Sequence, residues 1–272
     1  MVGNMSKYTV CGYDMEVLHA RQLELAAELD RICRQENIKY SLYGGSVIGA
    51  VRHNGFIPWD HDIDIAMPRK DYQKFIKYCK KHPSDKFFFS TYKSEKKYPN
   101  NWGKFRLETT VFLEQELAHL NLHKGVFIDV HPIDNIFPAT LKIQARLASF
   151  WACVHHMKCG MYNGTSKKKR FFYKCFSWLP YGIINGLRDC TMRFNNIFKT
   201  KYVYKIAHPN NGIYPIPRCT FEDLIEHKFE DKVFFIPKNY DEFLTKRYGN
   251  YMEFPPESEV YDCCQSIIEC KL

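Results

Sequence analysis

Along this chain the apolar residues switch between two periods. Residues 14 to 36 place Val17, Leu18, Leu25, Leu29, Ile32 and Cys33 near helical spacing behind Asp14 as an N-cap, which predicts an amphipathic helix. Tyr40 to Tyr43 reads as a short strand, and Gly44-Gly45-Ser46 then opens a helix through Val51. From Asp60 to Ile65 the period drops to two: Asp60, Asp62 and Asp64 alternate with His61, Ile63 and Ile65, the pattern of a half-buried strand. Arg69 to Lys81 returns to helical spacing, with Tyr72, Phe75, Ile76 and Cys79 on one face and Pro83 ending it. Strands are predicted over residues 87–92, 102–107, 110–114 and 125–131. In the last, GVFIDVH, Phe127, Asp129 and His131 share a face opposite Val126, Ile128 and Val130. Residues 140–200 are helical in pattern, 221–236 form a hairpin, Pro237 stops it, and 240–248 form a helix. The fold class is therefore α/β (α+β) with a mixed sheet. It divides into a core over residues 1–138, a helical accessory region over 139–218, and a hairpin and helix over 219–272 that pack on the core.

Three carboxylates at alternate strand positions share one face. With a rise of ~3.3 Å per residue, neighbours lie roughly 6.6 Å apart. At an effective dielectric of ~20 each adjacent pair repels by about 2.5 kcal/mol, so a cation is expected among them. Hard divalent ions such as Mg²⁺, or Mn²⁺ in its place, take oxygen ligands and hold phosphates, which makes this a metal site for a phosphate ester. A merely solvated acidic face is disfavoured by Ile-Pro-Trp before the triplet and Ile-Ala-Met after it. An EF-hand loop would use Asp60, Asp62, Asp64 and Asp71. It fails because Ile65 replaces the required glycine and Asp71 the bidentate glutamate.

Gly44, Gly45 and Ser46 present backbone N–H groups and a hydroxyl to an anion. Asp129 is an isolated carboxylate in an apolar strand, a costly placement unless it meets a core arginine or a metal; the upstream triplet favours the metal. His131 and Asp134 read as supporting or turn residues. Arg52, Lys104 and Arg106 are candidates to contact phosphate or to balance the acidic strand.

A length of 272 residues allows one large domain or two small ones, and 45% hydrophobic with 25% charged residues is ordinary for a globular protein with a sizeable core. The formal charge of +9 coexists with the acidic cluster, so the basic residues lie elsewhere and favour anionic partners. They are dispersed, without a helix-turn-helix or RNP pattern, and nucleic acid is not expected as a partner. The N-terminus has no apolar signal region and no apolar run reaches the ~18 residues of a membrane span, so a cytoplasmic protein is expected. The basic run Lys167 to Arg170, followed by aromatics to Tyr181, suits either peripheral membrane contact through 167–181 or a charged loop leading into a buried helix, the reading preferred on sequence. Eleven cysteines, an odd number with no CxxC pair, read as reduced core residues. Cys153, His155, His156 and Cys159 match no common zinc spacing.

The segments GGSVIGAVRHNGFIPWDHDIDIAMPRKDY, GVFIDVHPIDN and IPKNYDEFLTKRYGNYMEFPP resemble the LicD family of phosphotransferases, and the first is similar also to the fukutin-related ribitol-phosphate transferases. The resemblance implies a nucleotidyltransferase-like core. It places the family's metal-binding motif on Asp60, Asp62 and Asp64, its later strand carboxylate on Asp129, and its glycine-rich segment on Gly44, Gly45 and Ser46. His61 stands where many members have Asp, and His131 where the family has an aromatic. The implied reaction moves a phospho-alcohol from a CDP-alcohol donor, CDP-choline before CDP-ribitol or CDP-glycerol, to a glycan or lipid-linked saccharide such as a lipopolysaccharide or teichoic acid precursor. In that reaction Asp62 and Asp64 hold the metal, and Asp129 completes its shell or accepts the acceptor's proton. Tyr43, Trp59, Tyr98 and Trp102 are available as aromatic faces for choline. A nucleotidyltransferase releasing pyrophosphate and a non-catalytic calcium or polyanion module are the alternatives.

Overall fold

A short hairpin, β1 (Thr9–Val10) with β2 (Tyr13–Asp14), leads into α1 (Met15–Gln35) in the computed structural model, which describes residues 8–161, 166–206, 214–256 and 266–272. Asp14 occupies the N-cap position, but its side chain makes no capping bond to the helix. The helical stripe of Leu18, Leu25, Leu29 and Cys33 is buried as its spacing predicts. Then come β3 (Ser41–Leu42) and α2 (Gly45–Ile48), which runs on as a π-helical segment, Gly49–His53. β4 (Asp64–Pro68) passes directly into α3 (Arg69–Lys81), and β5 (Phe87–Ser90), β6 (Gly103–Leu107) and β7 (Val111–Glu114) follow. β8 (Val126–Ile136) runs well beyond the strand predicted for it. Three helices, α4 (Pro138–Lys158), α5 (Lys167–Lys174) and α6 (Tyr181–Arg193), precede β9 (Tyr202–Tyr204) and β10 (Ile216–Pro217). The chain closes with the hairpin β11 (Leu224–Phe229) and β12 (Lys232–Pro237), α7 (Tyr240–Tyr248) and β13 (Ile267–Lys271).

The central sheet is mixed. β8 pairs in parallel with β4, setting Asp64 opposite Asp129 and Ala66 opposite His131. It pairs antiparallel with β6 through its first half and with β9 through its last three residues. β3 closes the far side of β4, and β5 and β10 extend β6 and β9. A strand covered on both faces reads as a continuous apolar run, and Ile65, Ala66 and Met67 are all buried. Burying one such aliphatic side chain fully is worth about 1.5–3 kcal/mol.

Asp134, read from the sequence as a supporting or turn residue, lies not in a turn but inside β8, fully buried, with Arg69 Nε 2.7 Å from its Oδ1 and Asn196 Nδ2 2.6 Å from the same oxygen. That pair locks α3 and the segment after α6 onto the sheet. β9 and β10 fall within the 139–218 region but beyond the helical pattern of residues 140–200, and both join the sheet. The buried helix preferred for the 167–181 stretch is not what forms: α5 has no buried residue. The nine described cysteines are all free.

Candidate active site

Of the three aspartates expected on one strand, only Asp64 begins β4; residues 60–63 form an irregular lead-in. The reason lies in their partners. Asp60 N–H donates to Ile57 O at 2.9 Å, closing the turn that holds Pro58 and Trp59. Two buried side chains of α1 then replace a neighbouring strand. His19 Nε2 lies 2.7 Å from Asp60 O, and Gln22 Nε2 donates to His61 O at 2.6 Å. Only at Ile63 does pairing resume, its carbonyl accepting from Asp129 N–H at 2.8 Å. His19 and Gln22 were assigned no role from the sequence, because on an amphipathic helix they read as ordinary polar positions.

The parallel register brings Asp64 beside Asp129, and alternation adds His131 to the same face. Ligand atoms from these three residues lie within 4.8 Å of one another, the one such grouping among the described residues. His131 Nε2 stands 2.7 Å from Asp64 Oδ1. Burial and the nearby Lys205 push the His131 imidazole below its ordinary pKa. It is therefore neutral near pH 7 and donates its Nε2 proton to the carboxylate. Burial raises the Asp64 carboxyl, but His131, Lys205 and Arg247 outweigh burial and hold it below the usual carboxylate range. Asp62 goes the other way: burial first, then Asp60 and Asp64, push its carboxyl well above that range.

Asp129 Oδ1 is buried with no hydrogen-bond donor; Lys104 Nζ stands 3.7 Å away and is itself 3.0 Å from Glu114 Oε1. A buried carboxylate oxygen without a donor, a neighbouring imidazole and mutually repelling carboxylates together fit a divalent cation.

The glycine segment lies against these carboxylates. Gly44 has φ +58°, which side-chain-bearing residues rarely adopt, and a Cβ there would sit 3.0 Å from the Tyr248 hydroxyl and 3.5 Å from Asp64 Oδ2. A Cβ on Gly45 would come within 3.1 Å of Asp60 Oδ2. Ser46 Oγ accepts from Asp64 N–H at 2.8 Å, so the hydroxyl expected to contact phosphate also pins the loop to β4.

Two cations not identified from the sequence complete the site. Lys205, just after β9, is buried with its ammonium 5.0 Å from the Tyr43 ring centre. Arg247 of α7 donates to the Tyr43 hydroxyl at 2.6 Å and stacks on Tyr248, whose phenol burial pushes up to about 12. Local sequence offers no signal for Lys205, and Arg247 falls inside a resembling segment without standing out there.

The basic residues proposed from sequence sit differently. Lys104 faces the cluster through Asp129. Arg106 is buried in the core, donating to Ser90 Oγ at 3.1 Å and Gly125 O at 2.8 Å. Arg52 donates to the carbonyls of Tyr251 at 2.8 Å and Glu253 at 2.9 Å, clasping the segment after α7. The four aromatics do not form one cage. Tyr43 and Tyr98 are wholly buried, while Trp59 packs near Tyr8 and Phe254. Trp102, with its ring centre 5.5 Å from that of His131, borders the cluster. It also walls a cleft of about 420 Å³ lined by Asn100, Glu114, Ser149, Ala152 and His156.

A mixed α/β domain carrying a carboxylate and imidazole cluster across two parallel strands is the class that fold and site define. The profile described as LicD/FKTN/FKRP, nucleotidyltransferase domain, matches residues 37–139, and the chain carries a LicD-family domain there. Over 234 residues the chain is 27% identical to the lipopolysaccharide cholinephosphotransferase LicD of Haemophilus influenzae, covering 84% of this chain and 87% of that one. An uncharacterized protein of Rickettsia prowazekii is 27% identical over 155 residues, 48% of this chain and 57% of its own. Human ribitol 5-phosphate transferase FKRP is 38% identical over 48 residues, 18% of this chain and 10% of FKRP.

Proposed function

We propose that this chain transfers a phospho-alcohol, phosphocholine in the first instance, from a CDP-linked donor to a hydroxyl of a surface glycan or lipid-linked saccharide. The observation that carries this reading is the grouping of Asp64, Asp129 and His131 with Lys205 and Arg247 beside it. It combines a site for a cation with fixed positive charge for phosphate. A divalent cation, Mg²⁺ or Mn²⁺, held by Asp62, Asp64 and Asp129 with Asp60 beside them, would neutralise charge on the donor diphosphate and on departing CMP.

The chain's own residues do the rest. His131 keeps Asp64 ionised and oriented through their hydrogen bond. Lys205 and Arg247 attract the diphosphate at the buried end of the site. Without a Cβ, Gly44 and Gly45 let their loop close onto the carboxylates of Asp64 and Asp60. Asp129 would help hold the cation or take up the proton of the attacking hydroxyl. The cleft behind Trp102, polar and aromatic at once, suits a saccharide acceptor.

The description of the matching profile favours one second reading, nucleotidyl transfer with release of pyrophosphate. Incubation with CDP-choline, CDP-ribitol and CDP-glycerol plus a saccharide acceptor, beside a parallel reaction with CTP and phosphocholine, separates the two. Consumption of CDP-choline with release of CMP is the expected result. Pyrophosphate formed from CTP and a phospho-alcohol, with every CDP-alcohol left intact, would overturn the transfer reading.

A further inference from the structure

We propose that the face built by α4, α5 and α6 docks the protein onto an anionic lipid bilayer. Eleven of the seventeen exposed large apolar side chains among the described residues fall between Phe137 and Phe198, so the exposure is concentrated in one region. On α6 and the turn after it, Ile183, Leu187, Phe194 and Ile197 form an outward stripe at helical spacing, while Ile184 and Met192 on the other side are buried. A helix apolar on both sides normally has both covered. On α4, Ile143 and Leu147 continue the exposed surface, and α4 is joined to α6 by Gln144 Nε2 donating to the carbonyls of Thr191 and Met192 at 3.1 Å. At one end the Phe137 and Phe198 rings meet at 5.7 Å; at the other Phe150 meets Phe172 of α5 at 5.9 Å. Beyond them Phe171 is 74% and Trp178 75% exposed.

Charge selects the occupant. Residues 139–201 carry twelve Lys and Arg, of which Arg188 alone is fully buried, against a single acid, Asp189. Asp189 is already engaged, 2.9 Å from Arg193 and 3.6 Å from Arg69. A second copy of this chain would bring two strongly positive faces together. A nucleic acid would meet the cations but leave the aromatics without a role. Negatively charged headgroups above an acyl layer satisfy both, as they do for interfacial helices bearing Trp, Phe and Lys. No described helix is long and apolar enough to cross a membrane, so contact is at the surface. This inference stands independently of the reaction, although it would deliver the site to a lipid-linked acceptor.

Flotation of the full chain with vesicles of phosphatidylcholine, alone or mixed with phosphatidylglycerol, tests it. Binding to the mixed vesicles should exceed binding to the neutral ones by at least about tenfold and fall in high salt. Two sets of changes, Phe171→Ser with Trp178→Ser, and Lys167→Gln with Lys168→Gln and Lys169→Gln, should each weaken it by about tenfold or more while leaving the melting temperature unchanged. Turnover with a soluble acceptor should be unchanged in both, so loss of lipid binding and loss of activity are read separately. Equal flotation with both vesicle types, no flotation, or flotation indifferent to either set would overturn the proposal. So would light scattering that finds a dimer in the parent and a monomer after the aromatic changes.

Discussion

His131 and Asp64 stand 67 residues apart in sequence and 2.7 Å apart in space, an imidazole donating to a carboxylate at the centre of the acidic cluster. The bond fixes the orientation of one candidate metal ligand by a group that is itself positioned to be another. Partners of metal ligands typically change affinity or activity by ~10–100-fold when removed. His131→Ala should therefore weaken Mn²⁺ binding and turnover within that range. An unchanged Mn²⁺ titration would show that Asp64 needs no such support.

Asp62 is buried among like charges, which raises its carboxyl above the usual range. Its folded pKa exceeds the unfolded one, so its contribution to stability is present at low pH and lost as the pH rises through the folded value. Asp62→Asn removes that repulsion. The variant should melt at a higher temperature than the parent at neutral pH without added metal, yet lose activity by about two orders of magnitude or more, the scale seen when one group that stabilises transition-state charge is removed. Differential scanning fluorimetry and a CMP-release assay would check both; full activity in Asp62→Asn would remove Asp62 from the site.

Lys205 faces Tyr43 and the carboxylates from a buried position; burial lowers its pKa and Asp64 draws it back up. If it attracts donor phosphate, Lys205→Met should raise KM for the CDP-alcohol by about tenfold or more, the worth of one charge-assisted hydrogen bond, with a smaller change in kcat. Steady-state kinetics at saturating acceptor give the answer. A fall in kcat alone would make Lys205 a partner of the chemical step instead.

The cleft beside Trp102 can be filled from its far wall. Ala152 of α4 lines it, half-buried, on a helix outside the sheet that carries the carboxylates. Ala152→Trp should raise KM for the saccharide acceptor while leaving donor hydrolysis to water unchanged. Equal loss of both activities would mean that the substitution disturbs the sheet, and no loss would empty the cleft of its assigned role.

Acid stability offers a test away from the site. Burial, helped by the positive charge of Arg188, pushes the His155 imidazole down from 6.5 to about 3. Between those values the unfolded chain takes up a proton that the folded chain does not, so this contribution is full above about pH 6.5 and declines as the pH falls toward 3. Urea midpoints measured from neutral pH downward should fall more steeply for the parent than for His155→Gln. Parallel slopes would mean that the imidazole is already protonated in the folded state.

Much of this was legible from local pattern. The helix over Arg69 to Lys81 has the bounds its spacing predicts, and the alternation of Phe127, Asp129 and His131 correctly gave them a common face. The acidic triplet was read as one strand because alternation cannot distinguish a laddered strand from an extended lead-in. That distinction depended on His19 and Gln22, side chains of a distant helix. Tyr43 and Tyr98 were offered as ligand-facing aromatics, yet both are core residues, because composition does not record which way a ring points. The aromatics of α5 were assigned to a buried helix on the general rule that apolar residues go inside, but α5 packs only one side on Phe150 of α4 and leaves Phe171 and Phe172 exposed.

The amino-acid order by itself determined the bounds of α3 and α7, the alternating carboxylates and the resemblance they carry, since near-neighbour sterics and hydrophobic period act over a few residues. Tertiary structure alone decided that Asp64 would lie beside Asp129, that His131 would hold it, and that Lys205 and Arg247 would stand over both. Those placements follow from the parallel register of β4 on β8 and from the packing of α7 against the sheet, which are set by long-range burial and leave no trace in local spacing.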